Sequence, residues 1–241
     1  MSATVTRITV SAIIPCLNEE STIAAVASAV LSQGVHEVIV VDGGSSDRTA
    51  ECARAAGARV ITQPRRGYGS AMQAGITAAR ADVDILLFLD GDGSDQPEMI
   101  PTLIEPIVSG RAMFVHGTRV QGEREPGSLS AQQLIAGRLA GLLLRLIYGA
   151  HFTDMSPFRA IRRDALARLG MLETSYGWNL EMLMRVAAAG LPSVEVPVGQ
   201  RRRAGGLSKV SGNTLASLRA TWSIMTTFMR LALTLQRETR P

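Results

Sequence analysis

Residues 84–100, DILLFLDGDGSDQPEMI, decide the fold. An apolar run ends abruptly in Asp90-Gly91-Asp92, with Asp95 and Pro97 just beyond. The run reads as a buried strand, and its tip carries two carboxylates that repel each other unless a cation stands between them.

Upstream, the same alternation repeats. ITVSAII (8–14) reads as a β-branched strand ending at Pro15, and 19–32 as a helix opened by Asn18 as its cap. EVIVV (37–41) is a short continuous apolar run, the mark of a strand covered on both faces. SSDRTAECARAAG is a helix ending at Gly57, ARVIT a third strand and GYGSAMQAGITAAR a helix with a glycine-rich start. Strand and helix thus alternate four times up to DILLFLD, which predicts an α/β, Rossmann-like, mostly parallel sheet flanked by helices.

Downstream, the pattern loosens. AMFVHG (112–117) reads as a strand, 118–130 as a polar loop and 131–149 as a long amphipathic helix. A helix near 178–189 and a strand at 193–198 follow. Residues 213–236 place Leu215, Leu218, Trp222, Met225, Phe228, Met229 and Leu233 on one helical face. That face either packs on the core or a second copy, or lies on a bilayer as an interfacial helix. The expected division is a catalytic domain over 1–212 and an amphipathic helix and tail over 213–241.

Composition narrows the class. With 46% apolar and 19% charged residues among 241, the chain is globular. Cys16 and Cys52 form no CxxC pair, which points to a reducing cytoplasm, and His36, His116 and His151 have no zinc-ligand spacing. The N-terminus carries no signal-peptide pattern, and arginines interrupt the longest apolar stretches, 139–150 and 215–235, so no spanning helix is expected. The formal charge is +4, concentrated in RRRAGGLSK (201–209) and beyond. That excess suits phosphorylated substrates or an anionic membrane surface. Aromatics at 4% argue against a base-stacking platform and hence against nucleic acid.

In open parallel sheets, ligands collect at the carboxyl ends of the strands. Those ends read PCLNEE, DGGSSD, QPRRGYGSA and DGDGSD. Asp42 can accept hydrogen bonds from a ribose or base edge, or shape a turn with Gly43 and Gly44. GYGSAM lacks the third glycine of a dinucleotide fingerprint, since Met72 stands there. Gly67 and Gly69 are read as close approach of backbone to a ligand. Asp90 and Asp92 can both turn toward one hard divalent cation, Mg²⁺ or Mn²⁺, that would hold a diphosphate; the alternative is a solvated Asp/Gly turn.

P-x-x-N-E after the first strand, D-G-x-S-x-D after the second and D-x-D after the fourth resemble the family 2 glycosyltransferases of GT-A fold. SPFRAIRRDAL, WNLEMLMR and VPVGQRRRAGGLSK resemble their dolichyl-phosphate mannose synthase and polyprenyl-phosphate glycosyltransferase branch. The likeness spans about residues 8–212. It implies an inverting, metal-dependent transfer of a hexose from a nucleotide-sugar to a polyprenyl phosphate, by an enzyme peripheral on the cytoplasmic membrane face. Pro15, Asn18, Glu19 and Asp42 would line the nucleotide pocket, while Asp90 and Asp92 reach metal and sugar-diphosphate. Ser94 stands where the branch often has a metal-ligating Gln. Arg119 would meet the acceptor phosphate. Ser156, Phe158 and Arg159 match an S-G-F-R acceptor segment in which Pro157 replaces glycine. Arg203, Ser208 and Lys209 match a segment that folds over phosphates.

The residues support this chemistry on their own terms. A lipid phosphate is already an anionic nucleophile, so its transfer needs cations rather than a strong base, and arginine forks suit phosphate. Glu181 then has two readings: a base for a hydroxyl acceptor, or a partner for an arginine of the acceptor site. Rival classes are transfer to a small hydroxy acid or alcohol, nucleotidyl transfer, and a non-catalytic membrane-binding module. Nucleotidyl transfer requires a glycine-rich loop directly after the first strand, where PCLNEE has none. A homodimer through the C-terminal helix is also open.

Overall fold

The computed structural model describes residues 8–63, 67–204, 222 and 225–235. The expected alternation is present: β1 (Val10–Cys16), α1 (Ile23–Ser32), β2 (Glu37–Asp42), α2 (Thr49–Ala55), β3 (Arg59–Thr62), α3 (Tyr68–Ala78) and β4 (Ile85–Phe88). A short 3₁₀ turn, Pro97–Met99, leads into α4 (Ile100–Val108). Then come β5 (Phe114–Thr118), α5 (Ala131–Tyr148), β6 (Arg159–Arg162), α6 (Arg163–Leu169), α7 (Trp178–Ala188) and β7 (Ser193–Pro197).

One seven-stranded sheet runs β3-β2-β1-β4-β6-β5-β7. Pairing is parallel except where β6 lies antiparallel to both β4 and β5. The chain winds outward from β1 to β3, then crosses to β4 on the other side of β1. That switch point opens a crevice beyond the carboxyl ends of β1 and β4, which is where such sheets bind ligands.

The continuous apolar strands serve two cores. In β2, Val38 and Val40 pack with Ile23, Val26, Val30 and Leu103, under the helices α1 and α4. Ile39 and Val41 face the other way, toward Met72, Trp178 and Leu183 of α3 and α7. Period-2 alternation with both faces buried is what an unbroken apolar run means here. Phe228, Leu231 and Leu235, from the helical residues 225–235, join the second core. The other positions expected on that helical face are outside the described residues, apart from Trp222, Met225, Met229 and Leu233.

Several expectations are corrected. β1 does not stop at Pro15 but continues to Cys16. The Ile13 carbonyl accepts from Leu89 N–H, so Pro15, two residues on, turns its nitrogen toward the same side, past the last β4 pair at Ile13↔Phe88. A missing donor costs nothing where no partner strand remains. Asn18 is not a helix cap: α1 opens five residues later, with Thr22 at that position. The strand β6, hidden among arginines, carried no strand signal in the sequence. The helix α5 starts where expected, at Ala131, with a capping box between Ser130 and Gln133, and ends at Tyr148, one residue short of the expected 149, where Gly149 caps it in a left-handed conformation. Its buried side, however, is small. Gly137, Ala140, Gly141 and Leu144 face inward, and a Cβ at Gly141 would lie 2.1 Å from the Phe152 carbonyl oxygen. Ile135, Leu142 and Leu146 are left exposed.

Candidate active site

At the end of β1 the chain turns sharply. Asn18 adopts φ 56°, a left-handed conformation that Asn tolerates better than most residues. Its N–H donates to Ser45 Oγ at 2.9 Å, and its Oδ1 accepts from Ser46 N–H at 2.9 Å. Asp42, ending β2, accepts from both Ser45 N–H (3.1 Å) and Ser45 Oγ (2.5 Å). The turn-shaping role weighed for Asp42 is therefore filled by Oδ1. The loops after β1 and β2 are thus bound into one wall, with Pro15, Asn18, Glu19 and Asp42 along it.

The glycines after β3 do something other than expected. Gly67 (φ 137°) and Gly69 admit protein backbone, not ligand: an added Cβ would lie 2.3 Å from the Thr174 and Glu173 carbonyl oxygens respectively. Gly69 N–H donates to Ser175 O and Ser70 N–H to Thr174 O, so the start of α3 is bound to the 173–175 loop. The sequence signal for close approach was sound. Its partner was a distant loop, which spacing alone cannot reveal.

Beyond β4 lies the DGDGSD turn. Gly91 leaves room for Cys16, whose Sγ would be 2.4 Å from an added Cβ, and Gly93 takes φ 76°. Asp95 Oδ2 accepts from Asp90 N–H at 2.9 Å, and Asp92 Oδ1 from Ser94 N–H at 2.9 Å. The Tyr68 hydroxyl donates to Asp90 Oδ1 at 3.4 Å. Asp95 Oδ1 is buried without a hydrogen-bond partner among the described residues. Burial, then repulsion from Asp95 and Asp92, pushes the Asp90 carboxyl up to about 8. Burial, with Asp92 adding repulsion, pushes Asp95 up to about 7. The same two causes, burial and then the Asp90 charge, raise Tyr68 well above the ordinary phenol range. The carboxylates are short of positive charge.

One arginine partly supplies it. Arg203 lies between the walls, with Nη2 on Glu19 Oε1 and Nη1 3.3 Å from Asp92 Oδ2. Its segment crosses the turn through Arg201 N–H to Ser94 O (2.9 Å) and Ala204 N–H to Asp92 O (3.3 Å). Arg201 and Arg202 anchor it further, on Glu98 and Glu125. Ser208 and Lys209 are outside the described residues.

On the β5 side, Arg119 follows the strand and is nearly buried. Its Nε and Nη2 donate to Asp154 Oδ2 (2.7 Å) and Oδ1 (2.9 Å), and its backbone N–H adds a third bond to Oδ2 (3.0 Å). Burial acts against both charges, but the Arg119 pairing holds Asp154 well below the carboxylate range and Arg119 above its usual value. Asp90 and Asp95 add to the field that keeps Arg119 charged, so the guanidinium and the acidic turn share one crevice.

Two expected acceptor residues stand behind the site instead of in it. Arg159 is fully buried and donates to the carbonyls of Asn179 (3.1 Å), Pro157 (3.4 Å) and Ser156, which corrects the expectation of a direct phosphate contact. Burial and the Arg119 charge depress it to about 10. Ser156 and Phe158 are likewise fully buried. Glu181 has no exposure: its oxygens accept from Leu172 and Glu173 N–H (2.7–3.1 Å) and pair with Arg185 Nε at 2.9 Å. It does pair with an arginine, but one of its own helix rather than of the acceptor site. Through residues 172–173 it steadies the loop that receives Gly67 and Gly69.

Sequence reading missed Tyr68 and Asp154 and gave Asp95 no role. Asp95 carried a visible signal, lying three residues past Asp92; nothing local marks Asp154.

A hard cation fits this turn. Among the described residues no three His, Cys, Asp or Glu side chains converge as a ready-made cage. Mg²⁺ and Mn²⁺ in phosphate sites, however, need only one or two carboxylates beside water and substrate oxygens. Asp90 and Asp92 offer those, and the unpartnered Asp95 oxygen shows the deficit that a cation would cancel.

A profile described as glycosyl transferase family 2 matches residues 11–170. An uncharacterized glycosyltransferase of Mycobacterium tuberculosis is 36% identical over 213 residues, 87% of this chain and 93% of that protein. A dolichyl-phosphate hexose transferase of Haloferax volcanii is 36% identical over 193 residues, covering 78% and 81%. Among solved structures, glucosyl-3-phosphoglycerate synthase from M. tuberculosis, in complex with Mn²⁺, UDP and glucosyl-3-phosphoglycerate, superposes with a TM-score of 0.73. It is 25% identical, and the match covers 93% of this chain and 80% of that one.

Proposed function

The chain belongs to family 2 of the glycosyl transferases, and from that premise we propose that it is an inverting hexosyltransferase working from a UDP- or GDP-linked donor onto a polyprenyl phosphate, at the cytoplasmic face of a membrane. One observation carries the reading. A cation-deficient carboxylate turn and an oriented arginine, Arg119, share one crevice, while Glu181, the base weighed for a hydroxyl acceptor, is enclosed and bonded to Leu172, Glu173 and Arg185. That combination suits two anions brought together and keeps Glu181 from deprotonating a hydroxyl.

The nucleotide would lie against Pro15, Asn18, Glu19 and Asp42. Asp90 and Asp92 would hold Mg²⁺ or Mn²⁺ against the diphosphate, and the bound ion supplies charge neutralisation for the departing nucleotide. Arg203 must leave Glu19 and Asp92 when the donor arrives; its guanidinium is then free to cover phosphate, with Ser208 and Lys209 following in the chain. Arg119 orients the acceptor phosphate. One phosphate oxygen attacks the anomeric carbon from the face opposite the nucleotide, and the bond to the diphosphate breaks. No proton has to move.

The lipid acceptor is supported by the name of the Haloferax relative. The exposed Ile135, Leu142 and Leu146 of α5, flanked by exposed Arg138 and Arg145, fit docking on an anionic bilayer. Met229 and Leu233 on the C-terminal helix are exposed as well, and a second copy of the chain is the rival occupant of these faces. Among the described residues no helix is long and apolar enough to cross a membrane.

A second reading, transfer to a small phosphorylated hydroxy acid, is favoured by the likeness to glucosyl-3-phosphoglycerate synthase. The two separate in one assay. Purified protein is given Mn²⁺, each of a panel of UDP- and GDP-hexoses, and either polyprenyl phosphate or 3-phosphoglycerate, and the anomeric configuration of the product is read by NMR. Inverted lipid-linked sugar from one donor is expected; product on 3-phosphoglycerate alone overturns the lipid reading and keeps the family.

A further inference from the structure

We propose that Asp154 is a positioning residue for the acceptor phosphate: it grips Arg119 along one side and so aims the opposite edge of the guanidinium at the phosphate. This rests on the reading of Arg119 as the acceptor-phosphate ligand.

A guanidinium has five N–H donors in a rigid plane. Asp154 takes the Nε and Nη2 side at 2.7 and 2.9 Å and also takes the Arg119 backbone N–H, so the carboxylate fixes side chain and main chain together. Among the described residues Nη1 has no hydrogen-bond partner. Nη1 and the second Nη2 hydrogen therefore form a free edge with the geometry of a phosphate fork.

Asp154 is itself held on several sides. Its Oδ1 also accepts from Met155 N–H at 2.7 Å, and its carbonyl oxygen lies 3.0 Å from His116 Nε2. The neighbouring Thr153 bonds to Thr118 across the loop (2.7 Å) and to both oxygens of Glu195 on β7. The 153–155 loop is thus bound to β5, which Arg119 follows, and to the neighbouring β7. His116 is buried, and burial with the Arg159 charge holds it far toward neutrality, so it gives Asp154 a hydrogen bond and no competing charge.

The pair also sets the charge that the acceptor meets. With Asp154 ionised against it, Arg119 offers directional donors but little net positive field, and it stands beside Asp90 and Asp95. Direction, more than attraction, is what Asp154 contributes, and misaimed donors cost catalysis heavily.

The test compares Asp154→Asn, Arg119→Ala and the double variant, using a short isoprenyl phosphate as acceptor and a UDP- or GDP-hexose with Mn²⁺. Asp154→Asn should raise KM for the acceptor, or lower its kcat/KM, on the order of ten- to a hundredfold. Donor affinity, read by calorimetry with nucleotide and Mn²⁺, should stay within about twofold of wild type. In the Arg119→Ala background the same change should add almost nothing, since coupled residues are non-additive. Removing one partner of a buried pair can unfold a protein, so Asp154→Glu is the second variant: it keeps the charge, moves it by one methylene, and should show the same acceptor-selective loss in smaller measure. A folded variant with wild-type acceptor kinetics, equal losses in donor and acceptor, or additivity with Arg119→Ala overturns the proposal. If Arg119→Ala alone leaves the acceptor untouched, the reading of Arg119 falls and this inference with it, a result the single variant distinguishes.

Discussion

The two halves of the crevice solve the same electrostatic problem in opposite ways. On the β1–β4 side, Arg203 pairs with Glu19 and Asp92, while the neighbouring Asp90 and Asp95 are pushed toward protonation. On the β5–β6 side, the guanidinium of Arg119 is matched to one carboxylate and that of Arg159 to backbone carbonyls. The donor half is incomplete without a cation. The acceptor half is assembled in advance. A transferase that joins two anions benefits from that asymmetry, because the half awaiting a metal is the half whose ligand can bring one.

The largest effect that would break this contrast is on the donor side. Asp92→Asn should lower transfer by at least about a thousandfold while leaving the melting temperature within a few degrees, as about a kcal/mol either way would do. Near-normal turnover would remove the metal site from the account. Next, Lys209→Ala should weaken turnover of the phosphate acceptor about tenfold or more while nucleotide affinity, read by calorimetry, holds; an equal fall in both would move Lys209 to the donor half.

Gly69→Ala probes the junction of α3 with the 173–175 loop. Its Cβ would meet the Glu173 carbonyl oxygen at 2.3 Å, so a stability loss of about 1–3 kcal/mol is expected in urea unfolding. Unchanged stability with lost nucleotide binding would restore the ligand-approach reading of that glycine.

The raised carboxyls give a pH signature. Asp90 and Asp95 keep protons in the fold that the unfolded chain loses near an ordinary value of about 4. Between that value and their folded values, about 8 for Asp90 and about 7 for Asp95, the native state binds more protons, so the stability of the metal-free protein falls as pH rises through that window. Saturating Mn²⁺ should flatten the slope; the same slope with and without metal would place the ion elsewhere. The smallest effect is at the periphery. Leu146→Glu on α5 should weaken binding to anionic vesicles severalfold, about 1 kcal/mol, and an unaltered affinity would point to a second copy of the chain on that face.

How much of this was legible follows from range. The parallel half was readable because each of its strands is an apolar run of a few residues bounded by turn chemistry, and because Asp90 and Asp92 adjoin such a run directly. The antiparallel β6 was not, since Arg159, Arg162 and Arg163 mask its apolar positions. Pro15 and Asn18 misled for a local reason: the rules that stop a strand at proline and begin a helix at asparagine do not register that β4 has ended or that Ser46 needs an acceptor. Glu181 and Asp154 show the same limit from the other side. The Leu172 and Glu173 N–H groups that Glu181 accepts from lie across a turn, and the Arg119 that Asp154 grips stands just past the end of β5, thirty-five residues away, so only the fold brings them together.

The most direct measurement of the central claim pairs two acceptors that differ by one group. Polyprenyl phosphate and the polyprenol of the same length are given to the enzyme with its nucleotide-hexose, with Mn²⁺ or with a chelator, and lipid-linked sugar is scored. Product is expected from the phosphate only, and only with the ion present. Sugar on the free alcohol, or undiminished product under the chelator, would contradict it.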